Sequence, residues 1–173
     1  MTMSASPARQ ETLPPMAPPD EFAALYEKYA GVVYRTALRI TGRPEDAEDA
    51  LQTVFLRVLR QGPRIDEAIA PEHYFRRAAA NAALDVLRAR GHRAEAQLDE
   101  SLPHPAPDSS PLLRERLRRA LATLEPQDAE LFALRYIEGI SNTEIARMYG
   151  LERSTIGVRL HRIRRWLQEE LAR

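Results

Sequence analysis

Residues 141–165 read SNTEIARMYGLERSTIGVRLHRIRR, and this stretch decides the fold. Ser141 and Glu144 have the spacing of a capping box, in which each side chain satisfies an amide that the helix start leaves unpaired. Gly150 breaks that helix after two turns and permits the positive φ of a tight turn. Ile156, Leu160, Ile163 and, one step further, Leu167 recur at intervals of three and four, the buried stripe of a second and longer helix. Ala146 is small where the two helices must approach, and Ile156 plugs their crossing. Two helices joined by a tight glycine turn, the second of them basic, make a helix-turn-helix pattern. Arg153, Arg159, Arg162, Arg164 and Arg165 line the rest of the second helix, where guanidinium groups can meet phosphates or base edges in a major groove. A capped hairpin with a solvated basic face is the plainer alternative. The coincidence of box, Ala–Gly–Ile spacing and Arg density favours DNA binding.

Outward from this motif, the pattern stays helical. Leu113, Leu117, Leu121 and Leu124 share one helix closed by Glu125-Pro126, and Leu131, Leu134 and Ile137 mark the next, ended by Gly139. The stretch from Gly91 to Pro111 holds Pro103, Pro105, Pro107 and Asp108-Ser109-Ser110, the composition of a flexible linker. Before it, Phe22, Leu25, Tyr29, Val33 and Ile40 form a stripe that Gly42 stops, and Pro44 restarts a helix carrying Leu51, Val54, Phe55, Val58 and Leu59. Gly62-Pro63 ends that helix. A third begins near Pro71, with Phe75, Ala79, Ala82 and Val86 on one side. No segment alternates with a period of two. The expectation is an all-α protein of two small helical domains, a three- to four-helix unit over 20–92 and a helix-turn-helix unit over 111–173. A flexible linker over 93–110 joins them, behind a proline-rich, disordered extension over 1–19.

Composition narrows the function. Lys+Arg and Asp+Glu both number 25, which argues against coating nucleic acid through bulk charge and leaves a local basic face possible. Residues 111–173 hold 12 basic and 9 acidic residues, so the back end is the cationic part. With no Cys there are no disulfides or thiolate sites. His73, His92, His104 and His161 are scattered without a metal-binding spacing, so neither a metal nor another cofactor is expected. No apolar run approaches the roughly 18 residues of a membrane span, and no secretory leader is visible. The expected location is the cytoplasm.

A helix-turn-helix does not account for the first 90 or so residues. There the run Asp46-Ala47-Glu48-Asp49-Ala50-Leu51-Gln52-Thr53-Val54-Phe55-Leu56-Arg57-Val58 resembles a signature of the extracytoplasmic-function (ECF, group 4) sigma factors of bacterial RNA polymerase. Tyr74-Phe75 followed by Asn81, Asp85 and Arg88 is similar to a second pattern of that family. Leu131 to Tyr136, Gly139-Ile140-Ser141 and Arg159-Leu160-His161-Arg162 resemble its second DNA-binding domain. The three motifs stand in the family's order and cover nearly everything from 21 to 170.

This resemblance implies an alternative sigma factor, not an enzyme, with no catalytic residue of its own. It implies that Asp49, Gln52 and Thr53 contact the β′ clamp helices of core polymerase, with the β flap as a further polymerase contact. From spacing alone those three would read as a solvated acidic face. Arg64, Arg76, Arg77, Asn81 and Arg88 would hold and open the −10 element, with a base-capturing loop over 64–71. Tyr74 stands where an aromatic platform is usual, although core packing accounts for it as well. Arg153, Ser154, Gly157, Val158, Arg159, His161 and Arg162 would read the −35 element. Here the chain departs from its family, because Gly157 replaces a basic residue and Val158 a small polar one. Two explanations remain open, a different −35 sequence with Val158 on a thymine methyl, or a domain making mainly phosphate contacts. An anti-sigma factor is an implied partner, one that could hold the protein near the membrane without insertion. A conventional helix-turn-helix regulator and a sigma-like decoy are the rival readings.

Overall fold

Proline opens four of the helices, at the first-turn position where its locked φ suits the helix and its missing N–H costs nothing. The computed structural model describes residues 18–61, 70–96 and 110–172, and all regular structure among them is helical. Helices α1 (Pro19–Thr41), α2 (Pro44–Gln61) and α3 (Pro71–Ala96) form the first unit. Gly42, at φ 73°, closes α1 by donating its N–H to the Leu38 carbonyl. An aromatic seam joins the three helices. The Phe75 ring of α3 stacks on Tyr29 of α1 at 4.4 Å and on Phe55 of α2 at 5.7 Å, and Phe75 is fully buried. Such ring pairs add about 0.5–1.5 kcal/mol each beyond the area they bury.

The second unit comprises α4 (Ser110–Thr123), α5 (Pro126–Phe132), α6 (Asn142–Tyr149) and α7 (Arg153–Leu171). The spacing of Leu131, Leu134 and Ile137 predicts one continuous α-helix. Instead α5 widens into a π-turn over Ala133–Ile137, in which Glu138 donates its N–H to the Ala133 carbonyl five residues back at 2.9 Å. A π-turn shifts the phase of the helix. It leaves Ile137 half-buried and aims Glu138 toward the first unit.

Three further expectations are corrected. Gly91 does not end the first unit, because α3 continues to Ala96. Glycine inside a helix costs only about 1 kcal/mol relative to alanine, and the preceding Arg90 is tied to Asp46 of α2 at 2.9 Å and Glu115 of α4 at 3.0 Å. Leu113 points outward at 55% exposure while Leu121 is buried. Nor is α3 apolar on one side alone. It lies between α1 and α2 on one flank and α4, α5 and the π-turn on the other, and Ala80, Ala83, Leu84 and Leu87 are buried together with Phe75, Ala79 and Ala82. A helix covered on two flanks loses the one-sided pattern that makes a stripe legible. Residues 1–17 of the expected N-terminal extension and most of the expected linker lie outside the described residues, and Pro19, placed in that extension, instead opens α1.

Replacing Leu134 or Ile156, both fully buried, by alanine is expected to cost about 2–5 kcal/mol in urea denaturation. Leu113→Ala should stay within about 0.5 kcal/mol. Equal losses at Leu113 and Leu134 would contradict this packing.

Candidate nucleic-acid interface

The capping box of α6 forms as its residues require. Glu144 donates its amide to the Ser141 hydroxyl oxygen at 3.2 Å, and the Ser141 amide donates to the Glu144 carboxylate at 3.0 Å. The Ser141 hydroxyl also donates to that carboxylate at 2.6 Å. These bonds from Ser141, side chain first and backbone second, hold the Glu144 carboxyl below its usual range. At the other end Gly150 adopts φ 62°, and a Cβ added there would meet nothing within 4 Å. Glycine is therefore required for the backbone angle and not for room. Leu151 donates its N–H to the Ala146 carbonyl at 2.9 Å, which completes the turn. Ile145, Ala146, Ile156 and Leu160 lie buried at the crossing of α6 and α7.

This crossing presents one face of α7 outward. Arg153, Ser154, His161 and Arg162 are exposed, and Val158 stands out at 60% exposure. Gly157 is half-buried, with open space where a Cβ would lie. Arg159 departs from this group. Its Nε and one terminal nitrogen donate to Asp128 of α5 at 3.2 and 2.6 Å, so it fixes α7 against α5 in this conformation. A cation on the right face of a helix is not necessarily a free one, and the sequence shows no mark of the partner 31 residues away.

On the first unit, Asp49, Gln52 and Thr53 are all exposed along α2, and the Thr53 hydroxyl donates to the Asp49 carbonyl at 2.9 Å. Beside them opens a shallow apolar cavity of about 230 Å³ lined by Phe22, Tyr26, Gln52, Phe55, Leu56 and Leu59. Sequence reasoning missed this groove. Its signal is Leu56, a large apolar residue off the buried stripe of α2 and 49% exposed. Polar residues beside an exposed apolar groove suit a partner helix.

The cations of α3 are placed differently from expectation. Arg76 donates to Glu72 at 2.6 Å and, from its other terminal nitrogen, to Glu138 of the second unit at 2.6 Å. Arg77 donates through Nε to Glu130 of α5, and its guanidinium lies 4.4 Å from the centre of the Tyr149 ring. Burial opposes the charge on both arginines. The carboxylates outweigh it and raise both pKa values, Glu72 and Glu138 acting on Arg76 and Glu130 on Arg77. Arg88 pairs with Asp85 at 2.9 Å, and Asn81 is half-buried on the same helix. Tyr74 packs on the core, edge-on to Phe75 at 5.2 Å. Arg64 and the 64–69 part of the expected capturing loop lie outside the described residues. Three cationic sites thus gather on or near α3, and Arg76 and Arg77 are engaged by the other unit.

Comparison with known proteins agrees with this layout. The Sigma-70 region 2 family matches residues 25–93, and the Sigma-70, region 4 family matches 114–167. The chain is 34% identical over 157 residues to the ECF RNA polymerase sigma factor SigE of Mycolicibacterium smegmatis, covering 86% of this chain and 61% of that relative, less than two thirds of its length. It is 33% identical over 147 residues to the RNA polymerase sigma factor CarQ of Myxococcus xanthus, covering 83% of this chain and 84% of the relative. It is 30% identical to the RNA polymerase sigma-E factor of Streptomyces coelicolor, covering 87% and 86%. Among solved structures, CnrH in complex with the cytosolic domain of CnrY shares the fold at TM-score 0.54, 20% identity and 90% coverage of each chain. The sigma factor RpoE in complex with the anti-sigma factor NepR from Bartonella quintana shares it at TM-score 0.51 and 21% identity, covering 88% of this chain and 98% of that one.

The two glycines of this motif should respond oppositely to alanine. Gly157→Ala, in open space and helical geometry, is expected to stabilise by up to about 1 kcal/mol. Gly150→Ala, at positive φ, is expected to destabilise by about 1–2 kcal/mol. Thermal melts of the two variants check the signs.

Proposed function

The chain belongs to the extracytoplasmic-function branch of the sigma-70 family of transcription initiation factors, and we propose that it binds core RNA polymerase and directs it to promoters with defined −10 and −35 elements. The observation that carries this reading is that both family regions fall on the chain in order, each on a helical unit with an exposed face of fitting chemistry. On α2, Asp49, Gln52 and Thr53 beside the Phe22–Tyr26–Leu56 groove would receive the β′ clamp helices. A polar trio supplies register and an apolar groove supplies most of the affinity. The second unit would in turn meet the β flap.

The DNA contacts divide by chemistry. On α3, Arg76, Arg77, Asn81 and Arg88, with Arg64 ahead of it, would hold the opened −10 strand through its phosphates and an extruded base. On α7, Arg153, Ser154, Val158, His161 and Arg162 would enter the major groove of the −35 duplex, Val158 offering a methyl surface suited to thymine. Gly157 leaves room there for a base or phosphate to come close. Arg159, held by Asp128, would orient α7, and would contact DNA itself only on leaving that carboxylate. Catalysis stays with polymerase, and this subunit contributes promoter choice and melting, not an active site. The place of work is the cytoplasm. No helix among the described residues is long and apolar enough to cross a membrane. An anti-sigma factor is the expected regulator, because RpoE of Bartonella quintana, which shares the fold, was solved in complex with the anti-sigma factor NepR.

The test is reconstitution with core RNA polymerase and run-off transcription from genomic fragments. Promoter-specific transcripts are expected, and absence of both a core complex and any transcript would overturn the reading. Asp49→Ala combined with Gln52→Ala should weaken the core complex while thermal stability stays within about 0.5 kcal/mol. Val158→Ser is expected to change which −35 sequences are used and to leave −10 preference in place, read by transcription from a randomised promoter library.

A further inference from the structure

The widened turn at Ala133–Ile137 sets an aromatic ring and two guanidiniums beside α7, outside the set of residues proposed to read the −35 bases. Arg135 and Tyr136 both lie within that turn, and single π-turns of this kind recur at functional sites. The Tyr136 ring packs on Phe132 with centroids 4.9 Å apart, yet the residue stays 44% exposed. The guanidiniums of Arg135 and Arg164 each lie 5.9 Å from its centre. Arg135 is steadied by donating to the Ile140 carbonyl at 3.3 Å, and Arg164 is exposed on α7. Cation–π attraction at almost 6 Å is weak at an exposed site. It does not by itself account for two like charges gathered on one ring, an arrangement that an anion would complete. The cluster is also continuous with the outward face of α7. Arg153, Gly157, His161 and Arg164 follow one another at steps of four, four and three, which keeps them on one side of the helix. Gly157 leaves open space where a Cβ would stand, and Arg164 lies two turns further on, about 10 Å along the axis.

We propose that Tyr136, Arg164 and Arg135 form a backbone clamp, which grips the sugar-phosphate strand that passes over the Gly157 notch at the edge of the −35 element. This inference rests on the sigma-factor reading above and adds to it a contact made from the π-turn. Each group has a distinct task. Arg164 presents its fork of N–H donors to phosphate oxygens. The Tyr136 hydroxyl donates to the same or the next phosphate, while its ring lies along the deoxyribose. Arg135, pinned to the Ile140 carbonyl, adds positive potential from behind the ring. The clamp makes up for charge that the groove-facing residues lack. Gly157 and Val158 carry none, and Arg159 is engaged by Asp128 at 2.6 Å. Phosphates are the same in every sequence, so such a contact fixes register and affinity and leaves sequence choice to Val158 and its neighbours. An acidic protein surface would meet the same charges. The shared face with Arg153 and His161, and the room at Gly157 for a strand to pass, favour DNA.

The experiment uses holoenzyme assembled from the full chain and a promoter that the wild type transcribes. Binding is measured on promoter duplexes in which one phosphate at a time, across and beside the −35 element, is replaced by a neutral methylphosphonate. R164Q should weaken binding about tenfold, the scale of one lost charge-assisted bond, and Y136F about threefold, the scale of one lost hydroxyl bond. Both losses should be alike for every −35 sequence. The salt dependence of R164Q should flatten by about one phosphate's worth, a change of roughly 0.9 in the slope of log affinity against log salt, and R164K should restore that slope. The decisive readout is positional. One or two methylphosphonates that weaken the wild type should have no further effect on R164Q, because the contact is already gone. Both side chains are exposed, so melting temperatures should stay within about 2 °C. Wild-type affinity in both variants would overturn the clamp, as would a weakening that leaves the methylphosphonate pattern intact, the result expected if the cluster meets a protein surface. A changed −35 preference in R164Q would overturn it too, since that marks base reading. If the clamp fails while the holoenzyme still transcribes, the sigma reading stands without it. If no promoter is used at all, the sigma reading is the one that fails.

Discussion

Helix α3 is buried on two flanks, and the rest of the molecule is arranged around that constraint. Its alanines, Ala79, Ala80, Ala82 and Ala83, let neighbouring helices approach closely, while Phe75, Leu84 and Leu87 fill the space between them. A helix so enclosed has little surface left for water. Its arginines must then emerge at the seam between the two units, where carboxylates of α5 and the π-turn meet them. The π-turn is part of the same solution. Without its wider turn, Glu138 would fall at a different angle, away from Arg39 and Arg76.

The zero formal charge of the chain takes on a spatial meaning here. Arg76, Arg77 and Arg88 on α3 are paired within the protein, by Glu72, Glu138, Glu130 and Asp85. Several on α7 remain exposed. Long-range steering of DNA depends on uncompensated charge, so the second unit carries the attraction while the first keeps much of its own in reserve. The two units differ in apolar exposure as well. The groove between α1 and α2 leaves Tyr26 and Leu56 partly in water, a cost consistent with a surface shaped for a partner.

Reading the chain unaided worked where the signal is local. The Ser141–Glu144 box, the positive-φ glycines at 42, 139 and 150, the prolines that open helices and the Ile156–Leu160–Ile163–Leu167 stripe each occupy a few consecutive residues or one helix face. It faltered where one signal overlaid another. Gly91 looked like a terminator because glycine usually is one, yet the Arg90 ion pairs hold the helix through it. Leu113 matched a stripe that tertiary packing does not use. The π-turn leaves no trace in periodicity, since Leu131, Leu134 and Ile137 fit an ordinary helix equally well.

For the functional surfaces the division is sharper. Local sequence is enough to establish that the described residues are helical, that 141–167 form a helix-turn-helix, and which residues project from α2 and α7. Those properties depend on interactions spanning at most a few turns. Packing, by contrast, assigns Arg159 to Asp128, Arg77 to Glu130 and Arg76 to Glu138. These partners lie 31, 53 and 62 residues apart along the chain. A charge carries no address in its sequence context; which opposite charge it meets is set by how the helices pack, because Coulomb attraction is strong only at contact distance and where water has been excluded.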